Sequence, residues 1–521
     1  MKNLLKKNLL LIILIFITLL SGTLCTYTVL NHKSSSNSNG FQNEINAPST
    51  HNGNQKQRNG GSANSNQNNN FNNSSGNQNG GFQGGMQNIT MGFSSNTDSS
   101  YSNYLTAYFI IFIILSITAY YYLIHKKFHL NNQKFLIPAL LLVGLFSRII
   151  FGVLTQGYSG DISLFRNWAE NAATNLSTFY SNSRSADYPP FYIFILAVIG
   201  KIGASTALSG YYTLLLKLPS ILADIASGYL IYRLSKKYTS YEISMLLSAF
   251  YILNPATFIN STFWGQVDSF FTFIIILAMY LLSKKKISLS SIFFTAAVLM
   301  KPQGIIFLPV LFFELVRGRN LKNMIKAVIS IIVTSFIIIL PFSIKQSPLW
   351  IIKLYSNTVS EYPYASVNAY NFFNLIGANY KKDSSILFIF SYHTWGLIFI
   401  ILTTLFSWFI YIKGNNKTFA FAAALIQIAG VFTFSVGMHE RYLFPAAALS
   451  IFAYIYLKDK RLLYIALGYS MTIFSNTNAI LYNVSISDIS LFTSLLNIVL
   501  FGYLVKIMYD IAIKKKTYIL L

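Results

Sequence analysis

Residues 289–315 read LSSIFFTAAVLMKPQGIIFLPVLFFEL, an apolar run broken once, at Lys301-Pro302-Gln303. A bilayer crossing takes about 20 residues, so the run is too long for one helix and suits two short ones. Proline denies a helix a backbone donor, which makes residues 301–303 a turn. Basic clusters, Lys284-Lys285-Lys286 and Arg317-Gly318-Arg319, flank the run on both sides. Lysine and arginine collect in cytoplasmic loops, so both ends are expected inside and the turn outside. Lys301 is then a lone cation on the wrong side for a topological anchor. A snorkelling side chain at a helix end would explain it without any function.

The same alternation runs through the whole chain. Of the 521 residues 53% are hydrophobic and 10% charged, and the mean hydropathy is +0.48, which leaves too little polar surface for a soluble globule. The net charge of +24 sits in clusters at the ends of apolar runs, as topological anchors do, and not as a nucleic-acid footprint. A single cysteine, Cys25, excludes an intrachain disulfide framework and a cysteine-based metal site. Residues 1–30 have the basic start and apolar run of a signal anchor or signal peptide. Residues 31–103, dominated by Asn, Gly, Ser and Gln, cannot bury a core and are expected to form a disordered external tether.

Residues 104–512 read as the transmembrane domain. Keeping every basic loop inside gives about 13 or 14 membrane helices, depending on whether the first is cleaved. Residues 188–210 are the exception. If they crossed, Arg233, Lys236 and Lys237 would fall outside, so a re-entrant or interfacial hairpin on the outer side is expected instead. The fold class is an all-α polytopic membrane protein with helices in its extracytoplasmic loops.

Under this topology the outer surface collects Asp161, Asp187, the Trp264-Gly265-Gln266-Val267-Asp268 turn, Lys301-Pro302-Gln303 and Gly437-Met438-His439-Glu440-Arg441-Tyr442. Phe165 and Trp168 follow Asp161 on the same helical face. A helix lying on the outer leaflet would bury the two aromatics and present the carboxylate at its start. The plainer role for Asp161 is an N-cap. Asp187 precedes two prolines that fix an extended turn, and forming that turn is its plain role. His439-Glu440-Arg441 lacks the second histidine of a zinc-protease motif, and a structural salt-bridge cluster would account for it.

Within the spans, Arg148 and Asp224 stand out. A charge at mid-bilayer costs about 2.5–3.5 kcal/mol, so each needs a partner. Pairing with one another, stitching two helices, is the expected arrangement, and reaching an anionic phosphate is the alternative for Arg148. The loop from Ser347 to Tyr392 is rich in Tyr and Asn, including Asn368 and Asn371. Amides and aromatic faces suit sugars, so this loop is a candidate lid.

These motifs, in this order and on one side, resemble those of the GT-C glycosyltransferases. The likeness is to bacterial relatives of the second GPI-anchor mannosyltransferase and of the dolichyl-phosphate-dependent glucosyltransferases. It rests on Asp161 with Arg166 and Trp168, on Asp187-Tyr188-Pro189-Pro190, on residues 218–224, on Trp264 to Asp268, on Lys301 to Gln303 and on His439 to Tyr442, and covers residues 104–510. The resemblance implies a GT-C-type bundle in the plasma membrane with its active site on the extracytoplasmic face. It further implies a polyprenyl-phosphate-linked hexose donor, mannose first, and inverting transfer to a lipid or glycan acceptor. Asp161 matches the general base, with Asp187 orienting the acceptor or the base. Lys301, His439, Arg441 and alternatively Arg148 would face the donor phosphate. Trp264, Gln266, Asp268, Gln303, Glu440, Tyr442, Asn368 and Asn371 would bind or orient substrates. The family includes metal-independent members, and no tight ligand cluster is visible in the chain, so no cofactor is assigned; a divalent cation is the open alternative, and the expectation is against it.

Two other classes make different demands. A transporter or flippase of polyprenyl-linked glycans would concentrate polar residues and Gly/Pro breaks near the midplane, often in two related halves, whereas here most lie in loops on one side. A non-catalytic envelope scaffold would account for residues 31–103 but not for the loop motifs.

Overall fold

The structure, a computed structural model, describes residues 2–32, 100–125, 133–183, 185–484 and 487–519. The expected tether, apart from its two ends, and the Lys126-Lys127 anchor lie outside the described residues. Leaving single turns unnumbered, the helices are α1 (Lys2–Leu30), α2 (Ser100–His125), α3 (Gln133–Leu154), α4 (Ser159–Thr174), α5 (Pro190–Gly203), α6 (Tyr212–Ser235), α7 (Tyr241–Ile252), α8 (Asp268–Ser283), α9 (Ile287–Val298), α10 (Leu308–Gly318), α11 (Leu321–Ser343), α12 (Trp350–Ser360), α13 (Tyr392–Gly414), α14 (Ala420–Phe434), α15 (Pro445–Leu457), α16 (Arg461–Leu481) and α17 (Ser487–Ala512). Two short strands, β1 (Ile386–Leu387) and β2 (Phe390–Ser391), pair antiparallel ahead of α13. Among the described residues, nine helical segments are long and apolar enough to cross a membrane, and four shorter apolar helices accompany them. The chain is an all-α polytopic membrane protein.

The interrupted run resolves as its sequence suggests. Helices α9 and α10 are joined by residues 299–301 and a 3-10 turn, Pro302–Phe307, that starts at the proline. Central helices are buried on every side. Ala420 and Ala422 to Ala424 in α14 and Ala446 to Ala448 in α15 are buried, and such small residues let helix backbones approach closely. Peripheral helices such as α1, α2 and α11 instead expose one broad apolar face, the surface that lipid covers.

Helix α5 has 14 residues. At 1.5 Å per residue it spans about 21 Å, short of the roughly 30 Å hydrocarbon core. It packs along α4, burying Ile193 and Leu196 in the cluster that holds Phe165 and Trp168. In the middle of α3 and α6, Arg148 Nε lies 3.1 Å from Asp224 Oδ2, with side-chain exposures of 1% and 0%. The rest of the guanidinium is engaged by the Gly144 carbonyl at 3.3 Å and by Thr257 Oγ1 at 3.2 Å. Arg148 therefore takes the helix-stitching arrangement, each of its guanidinium nitrogens engaged within the bundle.

Candidate active site

The site is assembled from helix ends. Helix α4 begins just after Gly157, whose φ of +85° turns the chain out of α3, and Tyr158 N–H bonds the Trp264 carbonyl at 2.9 Å. Gly265, also at +85°, ends a six-residue π-helix, Ile259–Trp264. A Cβ at Gly157 would come within 2.6 Å of Ile162, and one at Gly265 within 2.7 Å of the same side chain. Only glycine satisfies both the left-handed backbone and that contact. The two turns thus lock together and set Asp161 opposite Trp264 and Gln266.

Asp161 occupies the third position of α4, behind the cap residue Tyr158, so it is not the N-cap. Phe165 and Trp168 are buried beneath it, as the helical spacing requires. Trp264 Nε1 donates to Asp161 Oδ2 at 2.6 Å, and Gln266 Nε2 donates to the same oxygen. Arg441 Nη2 lies 3.8 Å from that oxygen too. Oδ1 carries none of these contacts. The carboxylate is oriented through one oxygen and presents the other.

Beside it, Asp268 bridges two cations. Lys301 Nζ sits 2.5 Å from Asp268 Oδ1, with exposures of only 3% and 5%, and Arg441 Nε lies 3.8 Å from Oδ2. Asn260 Nδ2 donates to Oδ2 at 3.1 Å. Lys301 lies between the rings of Tyr188 and Tyr442, 5.4 and 5.7 Å from their centroids, and Arg441 lies 5.0 Å over Trp264, all within cation–π range. Arg441 also donates to Glu440. Burial opposes the Arg441 charge, but Asp161, Glu440 and Asp268 around it hold its pKa well above the ordinary value. Burial raises the Glu440 carboxyl, against the pull of Arg441.

His439, one of the residues expected to face the donor phosphate, is not a cation. Burial first, then the charges of Arg441 and Lys301, push its pKa down to about 3, so the imidazole is neutral at physiological pH. It can serve a substrate only as a hydrogen-bonding group, and its Nε2 is buried without a partner among the described residues. The Tyr362 ring lies 4.4 Å away at 89°. Gln303 follows Lys301 in the 3-10 turn, with a buried Oε1 that likewise lacks a partner among the described residues.

Asp187 lies in the segment leading into α5, where Thr358 of α12 donates to its carbonyl at 3.1 Å. Burial, then the charge of Glu361, pushes its carboxyl up to about 7, opposed by Lys301. The carboxyl titrates near neutrality.

The Tyr/Asn-rich loop reaches the site through its backbone. Val367 N–H bonds the Met438 carbonyl at 3.0 Å, and Gly437 N–H bonds that of Tyr364 at 2.9 Å. Its asparagines, however, are spent within the fold. Asn371 is fully buried; it caps a turn through Asn374 N–H and donates to the Phe432 and Ser435 carbonyls. Asn368 Nδ2 donates to the Tyr380 hydroxyl at 2.9 Å and its Oδ1 accepts from Asn379. Both hold the loop's shape.

Three participants escaped the sequence reading. Lys217 is wholly buried in α6, with Nζ 2.6 Å from the Thr155 carbonyl and 3.3 Å from that of Gly152, at the C-terminal end of α3 just before the Gly157 turn. A lysine seven residues from Asp224 in an apolar span was the available signal. Asn260 and Glu361 carried none, because their neighbours are set by packing. Among the described residues no three His, Cys, Asp or Glu side chains are grouped so as to hold a metal ion. The site's acids are bridged by Lys301 and Arg441.

No curated protein matches the chain. Residues 187–436 match the model of glycosyltransferase family 87, a stretch that includes Asp187, Trp264, Asp268 and Lys301 and stops just short of His439. Together with the bundle of membrane-length helices, this similarity marks the chain as a multi-pass, GT-C-like membrane glycosyltransferase.

Proposed function

We propose that the protein transfers a hexose, mannose first, from a polyprenyl-phosphate-linked donor to a lipid or glycan acceptor on the extracytoplasmic face of the plasma membrane. One observation carries this reading. A carboxylate oriented through a single oxygen stands next to two nearly buried cations that share one counter-ion. Acceptor activation and leaving-group stabilisation require those two elements side by side.

In the step so read, the acceptor hydroxyl attacks the anomeric carbon on the face opposite the phosphate while Asp161 Oδ1 takes its proton. The bond from the anomeric carbon to phosphate oxygen breaks, and its electron pair leaves with polyprenyl phosphate. The anomeric configuration inverts. Lys301 and Arg441 offset the charge that develops on the phosphate, His439 contributes a neutral N–H, and Asp187 hydrogen-bonds the acceptor. Lys301 and Arg441 supply the positive charge, so no divalent cation is invoked.

Purified protein in vesicles is offered polyprenyl-phosphate mannose, glucose and other sugars, and transfer and anomeric configuration are followed by NMR. Inverted product from one of these donors is expected. Transfer only from nucleotide sugars, or with retention, overturns the reading. Impermeant thiol labelling of cysteines placed at the exposed positions 185 and 380, in the loop that carries Asp187 and in the Tyr/Asn-rich loop, with Cys25 replaced, tests the face, and labelling of either only after permeabilisation overturns that part.

A further inference from the structure

Among the described residues the β1–β2 hairpin leaves four large apolar side chains open, Phe390 partly covered by Trp395 and the other three largely bare. Ile386, Phe388, Ile389 and Phe390 are 73%, 88%, 77% and 42% exposed, although they belong to a loop and not to a membrane helix. Phe388 is held at a φ of +59°, a left-handed conformation that bulky residues rarely adopt. Exposed apolar clusters of this kind mark a contact surface.

We infer that this hairpin is a membrane-interface anchor, with its tip seated in the lipid headgroup and upper acyl region. Three observations select lipid as the occupant. The strand β2 ends at Ser391 and the membrane-length helix α13 begins at Tyr392, so the tip is only a few residues from a lipid-covered surface. The hairpin is fastened to the top of that helix, with Trp395 Nε1 bonded to the Leu387 carbonyl at 2.9 Å and its ring 5.4 Å from Phe390. Tryptophan favours this depth. Finally, Lys381 and Lys382 are exposed just before the hairpin. Two lysines suit anionic headgroups, and would repel the same pair on a second copy of the chain.

Backbone bonds connect this anchor to the site. Ala365 N–H bonds the Lys381 carbonyl at 2.8 Å, and Tyr364 and Val367 bond the Gly437–Met438 strip beside His439. Seating the tip thus fixes the height of the covering loop above the leaflet, whatever reaction takes place beneath it.

The test is a Phe388→Cys, Cys25→Ser protein labelled with bimane, in vesicles containing anionic lipid, with brominated lipids of graded depth and aqueous iodide as quenchers. Blue-shifted emission, loss of intensity with shallow brominated lipid and protection from iodide are expected. Adding Ile389→Asp should shift emission to the red and restore iodide access. Quenching by iodide with indifference to brominated lipid overturns the inference. So does protection from both quenchers that scales with protein density, the mark of a second copy. The same label in Ile386→Cys carries the test if the first variant fails to fold.

Discussion

Replacing Asp161 with asparagine separates chemistry from folding, because the geometry assigns its two oxygens to different tasks. Trp264 Nε1 and Gln266 Nε2 both donate to Oδ2, so the amide oxygen of an asparagine can accept both bonds. The amide nitrogen then takes the place of Oδ1. A hydrogen bond to a charged group is worth about 1.5–3 kcal/mol and to a neutral one about 0.5–1.5, so two weakened bonds cost roughly 2 kcal/mol of stability. Arg441, at 3.8 Å, loses one of its three counter-ions and keeps Glu440 and Asp268. The proposed base, by contrast, is lost outright. General-base catalysis contributes about 10²–10⁴-fold, or roughly 3–5 kcal/mol of barrier. Single-turnover transfer in vesicles should therefore fall by that factor while thermal unfolding shifts only modestly. An asparagine variant turning over within tenfold of the parent would remove Asp161 from the role of base, and one that fails to fold would show that its charge is structural.

Lys301→Met leaves the nearly buried Asp268 with Asn260 and the longer Arg441 contact, so stability should drop by about 1.5–3 kcal/mol; pairing it with Asp268→Asn should restore the unfolding midpoint but not turnover, which calorimetry and a donor-concentration series read separately. Asp187 is raised to about 7, mainly by burial and then by Glu361, so its charged form is disfavoured in the folded state. Stability from this group is present below the ordinary carboxylate range and lost as pH rises through about 7. Transfer should show a step near that pH, absent in Asp187→Asn and moved to lower pH in Glu361→Gln; an unchanged profile in both variants would remove Asp187 from the acceptor side. Arg148→Met should destabilise by about 3–5 kcal/mol by stranding Asp224, and Arg148→Met with Asp224→Leu should recover most of it in detergent-unfolding assays.

Much of the fold is legible from local signals. The proline at 302, the basic flanks and the apolar lengths settle where helices begin and end, and the Phe165–Trp168 spacing sets which way Asp161 faces. The Arg148–Asp224 pair is legible too, because two costly charges in neighbouring spans have few alternatives. The site is less so. Nothing in the sequence joins Asp268 to both Lys301 and Arg441, which meet only after the helix ends converge. Composition could not show that the Asn368 and Asn371 amides are consumed by their own loop, since that depends on where unpaired backbone groups fall. Nor could it show a neutral His439, whose state is set first by burial and then by the charges of Arg441 and Lys301.

Asp268 gives the site a built-in competitor. Its carboxylate is tethered beside Lys301 and Arg441 and gives up no translational freedom to occupy them, whereas any visiting anion must. A free phosphate in solution is therefore a poor rival, and a phosphate whose hydrocarbon tail is already held by the bilayer is a good one. With the proposed donor, the same rivalry acts after bond cleavage: the carboxylate is on hand to reclaim both partners, which favours release of the spent carrier.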